Sequence, residues 1–383
     1  MQTENQLREP KFEFALKGPG RAQILLVGNG VERRPGGWKD ENQSGKELSW
    51  EELLMALMVE DQMKLNDEDP DLIQTDEQKR KRMQQLENIP FPLRYQLLTT
   101  SRSAEYPLKP ETRKEREKML RETCQELGAV LTPVLQRLPK LGADHILSTN
   151  YAYSMERAFL EQEKIRRLNK PFLDWFRKSE NRSRLRFNRN PEKGSGEKQK
   201  LETVYRLHSG YTARNADGSP VGLWHIHGEC TVSNGIILGH DGYGRLLKRI
   251  VECCEGKRLF PEEKLLEQEN PKLTMNSWPA LFLFADVYVL GFGMDLSEFD
   301  LWWLLRRKQQ ERYGRGRVYF FDNGDRKCDR ERNLLLKAHG VLVNDGVKIV
   351  PPRDDNGQHA VFYDNALERI EALIRTNRAA AAK

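Results

Sequence analysis

"ILLVGNG", residues 24–30, joins an apolar run to two closely spaced glycines. Short apolar runs that end in glycine are typical of parallel strands buried on both faces and followed by a tight turn. The stretch therefore predicts a central strand at residues 23–27. Glycines in such a turn let the backbone approach a phosphate or a ribose, although two glycines alone do not decide which.

Further apolar runs predict strands of the same kind. They are "HILSTN" (145–150), "LWHIHG" (223–228), "VYVLGFG" (287–293), "RVYFFDNGD" (317–325) and, with a weaker pattern, "VKIVPP" (347–352). Helical spacing appears at 245–255, 297–312 and 362–376, and "SWEELLMALMVED" begins with a capping box from Ser49 to Glu52. Strands that alternate with helices predict an α/β fold, with a Rossmann-like, mostly parallel sheet and helices on both faces.

The chain of 383 residues is long enough for one large, decorated domain. We expect a single domain over residues 1–383, with helical insertions at about 72–140 and 160–220, where strand patterns are absent. Hydrophobic residues make up 38% and charged residues 31%, and no apolar run approaches the roughly 18 residues that span a bilayer. Residues 1–23 contain no secretory signal pattern, so the expected location is the cytoplasm, without a membrane partner.

The net charge of +6 is concentrated in residues 177–200, which hold nine Lys or Arg and few apolar residues. The pattern predicts a basic, flexible loop. Such a loop could contact nucleic acid, but the aromatic residues of a single-strand binder are not interleaved with the charges, which favours a solvated loop. The five cysteines form no C-x-x-C pair, which argues against a disulfide framework and a structural zinc site.

Parallel strands place their carboxyl ends at one sheet edge, where ligands of α/β proteins bind. The residues expected there are Gly28, Asn29, Gly30, Thr149, Asn150, Tyr151, His225, His227, Gly291, Phe292, Gly293, Asp322 and Asn323. Glycines suit a pyrophosphate, Asp or Asn can accept ribose hydroxyls, and Asn and His supply polar groups near a reactive bond, so the set suits a dinucleotide. Position 33 is Arg, so the G-x-G-x-x-G pattern of dehydrogenases is incomplete and hydride transfer is disfavoured.

The order of these segments resembles a known superfamily. "LLVGNG", "LSTNYAYSMERAF", "HIHG" and "ADVYVLGFGMDLSEFDLWWLL" follow one another as in sirtuin-like proteins, and most resemble the bacterial antiphage-defence branch of NAD-consuming effectors. The resemblance covers roughly residues 20–350. It implies that NAD+ is the substrate, that Asn150 and His227 are catalytic, and that Gly28, Asn29 and Gly30 hold the pyrophosphate. It also places Gly291 and Gly293 after the fourth strand, and Asn323 and Asp322 at the ribose.

The chain departs from the family pattern at three places. Ala152 stands where the family commonly has Asp two residues after the catalytic Asn, and Glu32 stands where sirtuins carry Ser. The four-cysteine zinc module of protein-deacetylating sirtuins cannot be built from these cysteines, so deacetylation is disfavoured.

The chemistry implied is cleavage of the bond between ribose and nicotinamide. Because the nicotinamide leaves as a neutral ring, the enzyme needs orientation and a base more than a strong acid. His227 can act as the base near neutral pH, and Asn150 can position the ribose and the attacking water. The alternative for His227 is a buried histidine at a strand end with no chemical role.

Two further patterns have plain alternatives. By strand periodicity His225 shares a face with His227, which would allow a metal pair, but no acidic or cysteine partner lies nearby in sequence and no metal is expected. Asp295 and Glu298 precede the helix "FDLWWLLRR" and are interpreted as its capping box. The helix is apolar almost all round, so Trp302 and Trp303 are expected to be buried against the sheet or at a subunit interface.

Three functions stay open from the sequence. The first is an NAD+ hydrolase effector that depletes NAD+, and the second is a non-enzymatic subunit that senses NAD or ADP-ribose. The third is a nucleic-acid-binding subunit that uses residues 177–200. For the effector, the resemblance implies a homo-oligomer controlled by a separately encoded partner, such as a hexameric ATPase or a nucleic-acid-guided protein, with weak or indirect nucleic-acid contact.

Overall fold

We analysed the protein as a computed structural model. It describes residues 22–32, 54, 76–86, 88–99, 118, 131–160, 186–189, 205, 207–230, 235–255, 277–311, 316–324, 327–348 and 358–381. The predicted helix at 49–61 falls outside this set except for the helical Leu54.

The described strands form one eight-stranded sheet. They are β1 (Gln23–Val27), β2 (His145–Ser148), β3 (Arg186–Arg189), β4 (Ser209–Arg214), β5 (Pro220–His225), β6 (Asp286–Leu290), β7 (Val318–Phe321) and β8 (Leu342–Val343). Their order across the sheet is β3-β4-β5-β2-β1-β6-β7-β8. The pairs from β5 to β8 are parallel, whereas β4 runs antiparallel to β3 and β5.

The parallel strands have the order of the doubly wound dinucleotide-binding fold. Numbered among themselves along the chain, β5-β2-β1-β6-β7-β8 reads 3-2-1-4-5-6. The strand order reverses between β1 and β6, which lie side by side at the centre. This strand order confirms the predicted Rossmann-like α/β class. In such sheets the ligand crevice opens beyond the carboxyl ends of the strands, at the point where the order reverses.

Helices cover both faces of the sheet. They are α1 (Asp76–Gln85), α2 (Phe91–Thr99), α3 (Pro133–Arg137), α4 (Ser154–Ala158), α5 (His240–Glu255), α6 (Trp278–Phe284), α7 (Phe299–Glu311), α8 (Lys327–Ala338) and α9 (Gln358–Ala381), with short 3-10 turns at Asn29–Val31 and Leu138–Lys140. Alternate β1 residues enter two cores: Leu25 and Val27 pack with α3, α4 and α9, and Ile24 and Leu26 with α5, α6 and α7. This alternation explains why the strand is apolar throughout.

Three sequence predictions are corrected by the fold. The insertion at 160–220 is not only helical, because it contributes the antiparallel strands β3 and β4, and β3 lies within the stretch predicted to be a basic loop. The last strand is Leu342–Val343, since Val347 and Lys348 are irregular and residues 349–352 lie outside the described set. Helices α6 and α8 were not predicted.

None of the described helices is both long and apolar enough to cross a membrane.

Candidate functional site

Asn150 and His227 lie beyond the carboxyl ends of two neighbouring central strands. In the parallel register of β2 and β5, Ser148 is the partner of His225. Asn150 follows Ser148 by two residues, and His227 follows His225 by two residues. Both therefore lie beyond the same edge of the sheet. The two side chains are buried, at 5% and 2% exposure. The edge is the one at which the predicted crevice opens.

The glycine turn after β1 fits closely against the end of β6. The Gly28 amide donates to the Leu290 carbonyl at 3.3 Å, and the Gly30 amide donates to the Gly291 carbonyl at 2.7 Å. A Cβ atom on either glycine would come within 2.7 Å of the Gly291 oxygen. Glycine is therefore required at both positions by a protein contact. These two amides are already occupied, so a bound pyrophosphate would have to use other donors of the turn.

Asn150 is held in one orientation by the turn after β1. Its Nδ2 donates to the Gly28 carbonyl at 3.1 Å, and its side chain also hydrogen-bonds the Glu32 carboxyl. The Ser154 hydroxyl donates to Glu32. Burial raises the pKa of Glu32 to about 7, although the bonds from Ser154 and Asn150 lower it. With the Nδ2 hydrogens directed into the protein, Oδ1 is the acceptor that Asn150 can offer to a ribose hydroxyl or a water.

His225 is fixed by both of its ring nitrogens. Nδ1 lies 2.7 Å from the Asn150 carbonyl oxygen, and Nε2 lies 2.9 Å from Oε1 of the buried Glu156. Burial lowers the pKa of His225, but Glu156 outweighs burial and brings it to about 9. A ring that is charged at neutral pH and bonded at both nitrogens cannot accept a proton. His225 supports the Asn150 backbone and is not a base.

His227 belongs to a different side of the sheet from His225. Strand β5 ends at His225, and Gly228 has a φ of +95°, so strand alternation does not continue to His227. His225 meets Glu156 of α4, whereas His227 Nε2 lies 3.0 Å from Asp300 Oδ2 of α7. The prediction that the two histidines share one face is wrong, so the pair of imidazoles that a shared face would allow is not formed.

Two carboxyls and a tyrosine surround His227. Its Nε2 is 3.7 Å from Glu298 Oε2, and its ring packs edge-on against Tyr243 with centroids 5.2 Å apart. Burial opposes a charge on His227, yet Asp300 and Glu298 hold its pKa above the ordinary value. Burial raises the pKa of Glu298 to about 7. His227 and Glu298 therefore both hold a proton more readily than their free side chains do, and they lie beside the buried carboxyl of Asp300.

The same group is the place where a metal could be held. His227, Glu298 and Asp300 each present a ligand atom, and these atoms lie within 4.8 Å of one another. The sequence argument that no acidic partner is near His227 fails in space, because Asp300 at the start of α7 and Glu298 just before it both approach the ring. The absence of a metal stays a prediction.

The interpretation of Asp295 and Glu298 as a capping box is wrong. Asp295 Oδ1 accepts from the amide and hydroxyl of Ser297, and α7 begins at Phe299. The Glu298 side chain faces His227 and Tyr243 instead of the chain ahead of the helix. Trp302 and Trp303 are only partly buried beside the core.

Arg332 connects two predicted strand-end segments. It donates to the Gly293 carbonyl at 2.8 Å and is ion-paired with Asp322. The Asp322 carboxylate is thus occupied by a cation from α8, while Asn323 is buried at 8% exposure. Arg332 holds the ends of β6 and β7 together beside the crevice.

The remaining predicted contact residues have internal roles. The Thr149 amide donates to the Val27 carbonyl at 3.1 Å, and the Tyr151 hydroxyl donates to the Ile237 carbonyl at 3.0 Å. Phe292 is buried against the core that contains α5 and α7. These contacts position the strand ends, and whether the residues also touch a ligand stays a prediction.

Sequence reasoning did not find several residues of the site: Glu32 as a partner of Asn150, Glu156, Asp300 and Arg332. The only signal for Asp300 was an acidic residue at the start of an otherwise buried helix. Asp300 has 0% exposure. A carboxylate in such a position needs a partner, but the sequence could not name it.

The chain was also compared with known proteins. No protein-family model and no curated protein matches it. The geometry of the site and the motif resemblance are therefore what support a functional proposal.

Proposed function

We propose that the protein is an NAD+ glycohydrolase that cleaves NAD+ to nicotinamide and ADP-ribose. The observation that carries the proposal is the position of Asn150 and His227 beyond adjacent parallel strands, next to the strand-order reversal of a dinucleotide-type sheet. A dinucleotide in that crevice would present its ribose between an oriented amide and a histidine. The motif resemblance supports the same assignment.

The reaction assigns one task to each residue. The bond between ribose C1′ and the nicotinamide nitrogen breaks, and the nitrogen keeps the electron pair and leaves as neutral nicotinamide. The oxygen of a water forms the new bond to C1′, and His227 accepts the proton. Asn150 Oδ1 orients the ribose or the water, and the charged His225 keeps the Asn150 backbone in place.

The proposal includes a biological setting that rests on the resemblance alone. The protein would deplete NAD+ in a bacterial host during phage infection, as a homo-oligomer in the cytoplasm. Because uncontrolled depletion would kill the host, its activity would depend on a separately encoded partner, such as a hexameric ATPase or a nucleic-acid-guided protein. Molar mass and NAD+ turnover, measured across protein concentration with and without the partner, test this setting. A monomer fully active alone at nanomolar concentration would contradict the control, though not the chemistry.

The direct test is the release of nicotinamide and ADP-ribose from NAD+ by the purified chain, alone and with the candidate partner added, followed by chromatography. His227→Ala and Asn150→Ala are expected to lower kcat at least about 100-fold while NAD+ affinity changes little, because both residues act on the transition state. Asp364→Asn, which breaks an exposed ion pair with Arg137, is the control. Binding of NAD+ with no product under any condition would favour the sensor function instead.

A nucleic-acid-binding function remains the second candidate. Only Arg186–Arg189 of the basic stretch is described, as a strand paired with β4. DNA binding that weakens with salt, and that is lost when the basic residues of 177–200 are neutralised, would support it.

A further inference from the structure

The contacts of His227 distinguish its two ring nitrogens. Nε2 lies 3.0 Å from Asp300 Oδ2, a normal length for a hydrogen bond to a carboxylate. Nδ1 has no hydrogen-bond partner within the part of the chain that the structure describes. One nitrogen is thus engaged by an acceptor, and the other makes no hydrogen bond to the described residues.

Asp300 is well suited to hold one tautomer. Its side chain is fully buried at 0% exposure, and its Oδ1 has no partner among the described residues. A buried carboxylate with so few partners depends on the one hydrogen bond that it makes. A carboxylate accepts hydrogens and cannot donate one, so it requires the hydrogen to be on Nε2.

We propose that Asp300 is a positioning residue that holds His227 with its hydrogen on Nε2, so that Nδ1 is the atom that accepts the proton during NAD+ cleavage. The catalytic part of this inference rests on the proposed function, whereas the tautomer does not. The arrangement follows the general rule that a carboxylate bonded to one imidazole nitrogen orients the other as a base.

The neighbours of His227 are compatible with this role. The titratable groups that face the ring are Asp300 of α7, Glu298 just before α7, and Tyr243 of α5. Burial raises the pKa of Glu298 to about 7 and also raises the pKa of Tyr243, so both hold protons more readily than in water. Asp300 is left as the main acceptor for Nε2–H.

The first experiment reads the tautomer without NAD+. The protein is labelled with 15N at histidine, and long-range proton–nitrogen correlations are recorded above the pKa of His227, whose signals are identified by their loss in His227→Gln. We expect Nδ1 to have the shift of an unprotonated nitrogen and Nε2 that of a protonated one. In Asp300→Asn this pattern is expected to be lost or inverted, because an amide can donate to Nε2. A hydrogen on Nδ1 in the wild type, or an unchanged pattern in the variant, would overturn the inference.

The second experiment measures NAD+ cleavage as a function of pH. Asp300→Asn is expected to lower kcat by about 100- to 10,000-fold with a small change in KM, and to move the pH midpoint downward because a negative charge beside His227 is lost. The control is Asp286→Asn, an equally buried aspartate at the opposite end of β6, where it accepts from Gln23 and the Arg317 amide. The control is expected to cost stability without moving the pH midpoint.

The outcomes separate the two proposals. If the wild type never releases nicotinamide, the proposed function fails and the inference fails in its catalytic part, while the labelled spectra still decide the tautomer. If the wild type is active and Asp300→Asn is equally active, the function stands and the positioning role is refuted. Loss of wild-type activity in EDTA, restored by Zn²⁺ or Mn²⁺, would make His227 a metal ligand with Glu298 and Asp300 and would also overturn the inference.

Discussion

The contact between the glycine turn and the end of β6 can be tested by adding one methyl group. Gly28 has a φ of −118°, a conformation that alanine adopts without strain, so only the space around the new Cβ matters. That atom would lie 2.7 Å from the Gly291 oxygen and 2.7 Å from the Phe292 Cα. Ordinary contacts begin near 3.4 Å, so the new Cβ would overlap these atoms by about 0.7 Å. Both are backbone atoms, which cannot turn aside as a flexible side chain could. The central strands β1 and β6 would have to separate locally.

The expected cost follows from two effects. Overpacking a well-filled site costs about 1–3 kcal/mol, and stretching the adjacent hydrogen bond from the Gly30 amide to the Gly291 oxygen adds about 1 kcal/mol. Gly28→Ala is therefore expected to lower the free energy of unfolding by about 2–4 kcal/mol. Gly30→Ala should cost a similar amount, although one of its close contacts is the movable Tyr363 hydroxyl.

The assay is urea unfolding followed by circular dichroism, with NAD+ affinity measured on the same preparations. Gly293→Ala is the matched control at the same sheet edge, because a Cβ there meets no atom within 4 Å, and it should change stability by less than about 0.5 kcal/mol. An unchanged midpoint for Gly28→Ala would refute the packing argument. Unchanged stability together with lost NAD+ binding would show instead that the turn is reserved for the ligand.

Three further predictions concern buried charges. Glu32 has a pKa of about 7 in the folded state and near 4.5 unfolded, so the native state binds more protons between these values and stability falls as pH rises through them. Glu32→Gln should raise the free energy of unfolding by about 3 kcal/mol at pH 8 and change it little at pH 4. An equal difference between variant and wild type at the two pH values would contradict this. Lys308→Met removes three hydrogen bonds to carbonyls at the end of α6 and should lower the free energy of unfolding by about 2–4 kcal/mol. An unchanged urea midpoint would contradict this prediction. Because Asp300 and Glu298 raise the pKa of His227, kcat/KM for NAD+ should increase with pH through a midpoint above 6.5, and a flat profile would exclude His227 as the base.

The sequence by itself was sufficient for the central sheet. Strands β1, β2, β5, β6 and β7 were predictable because each is a short apolar run ended by glycine or polar residues, a local pattern with a local cause. Their alternation with helices determined the parallel arrangement and hence the sheet edge at which both Asn150 and His227 lie. β3 and β4 could not be predicted, because their pairing depends on partners distant in sequence.

Only the tertiary structure decided which neighbour each polar side chain has. His225 and His227 are two residues apart, yet one is bonded to Glu156 and the other to Asp300, because β5 ends between them. The same holds for Gly28, whose close contact is with Gly291, more than 260 residues away. Hydrophobic periodicity is written into the chain locally, whereas the partners of a buried charge or a tight turn are brought together only when the strands have aligned.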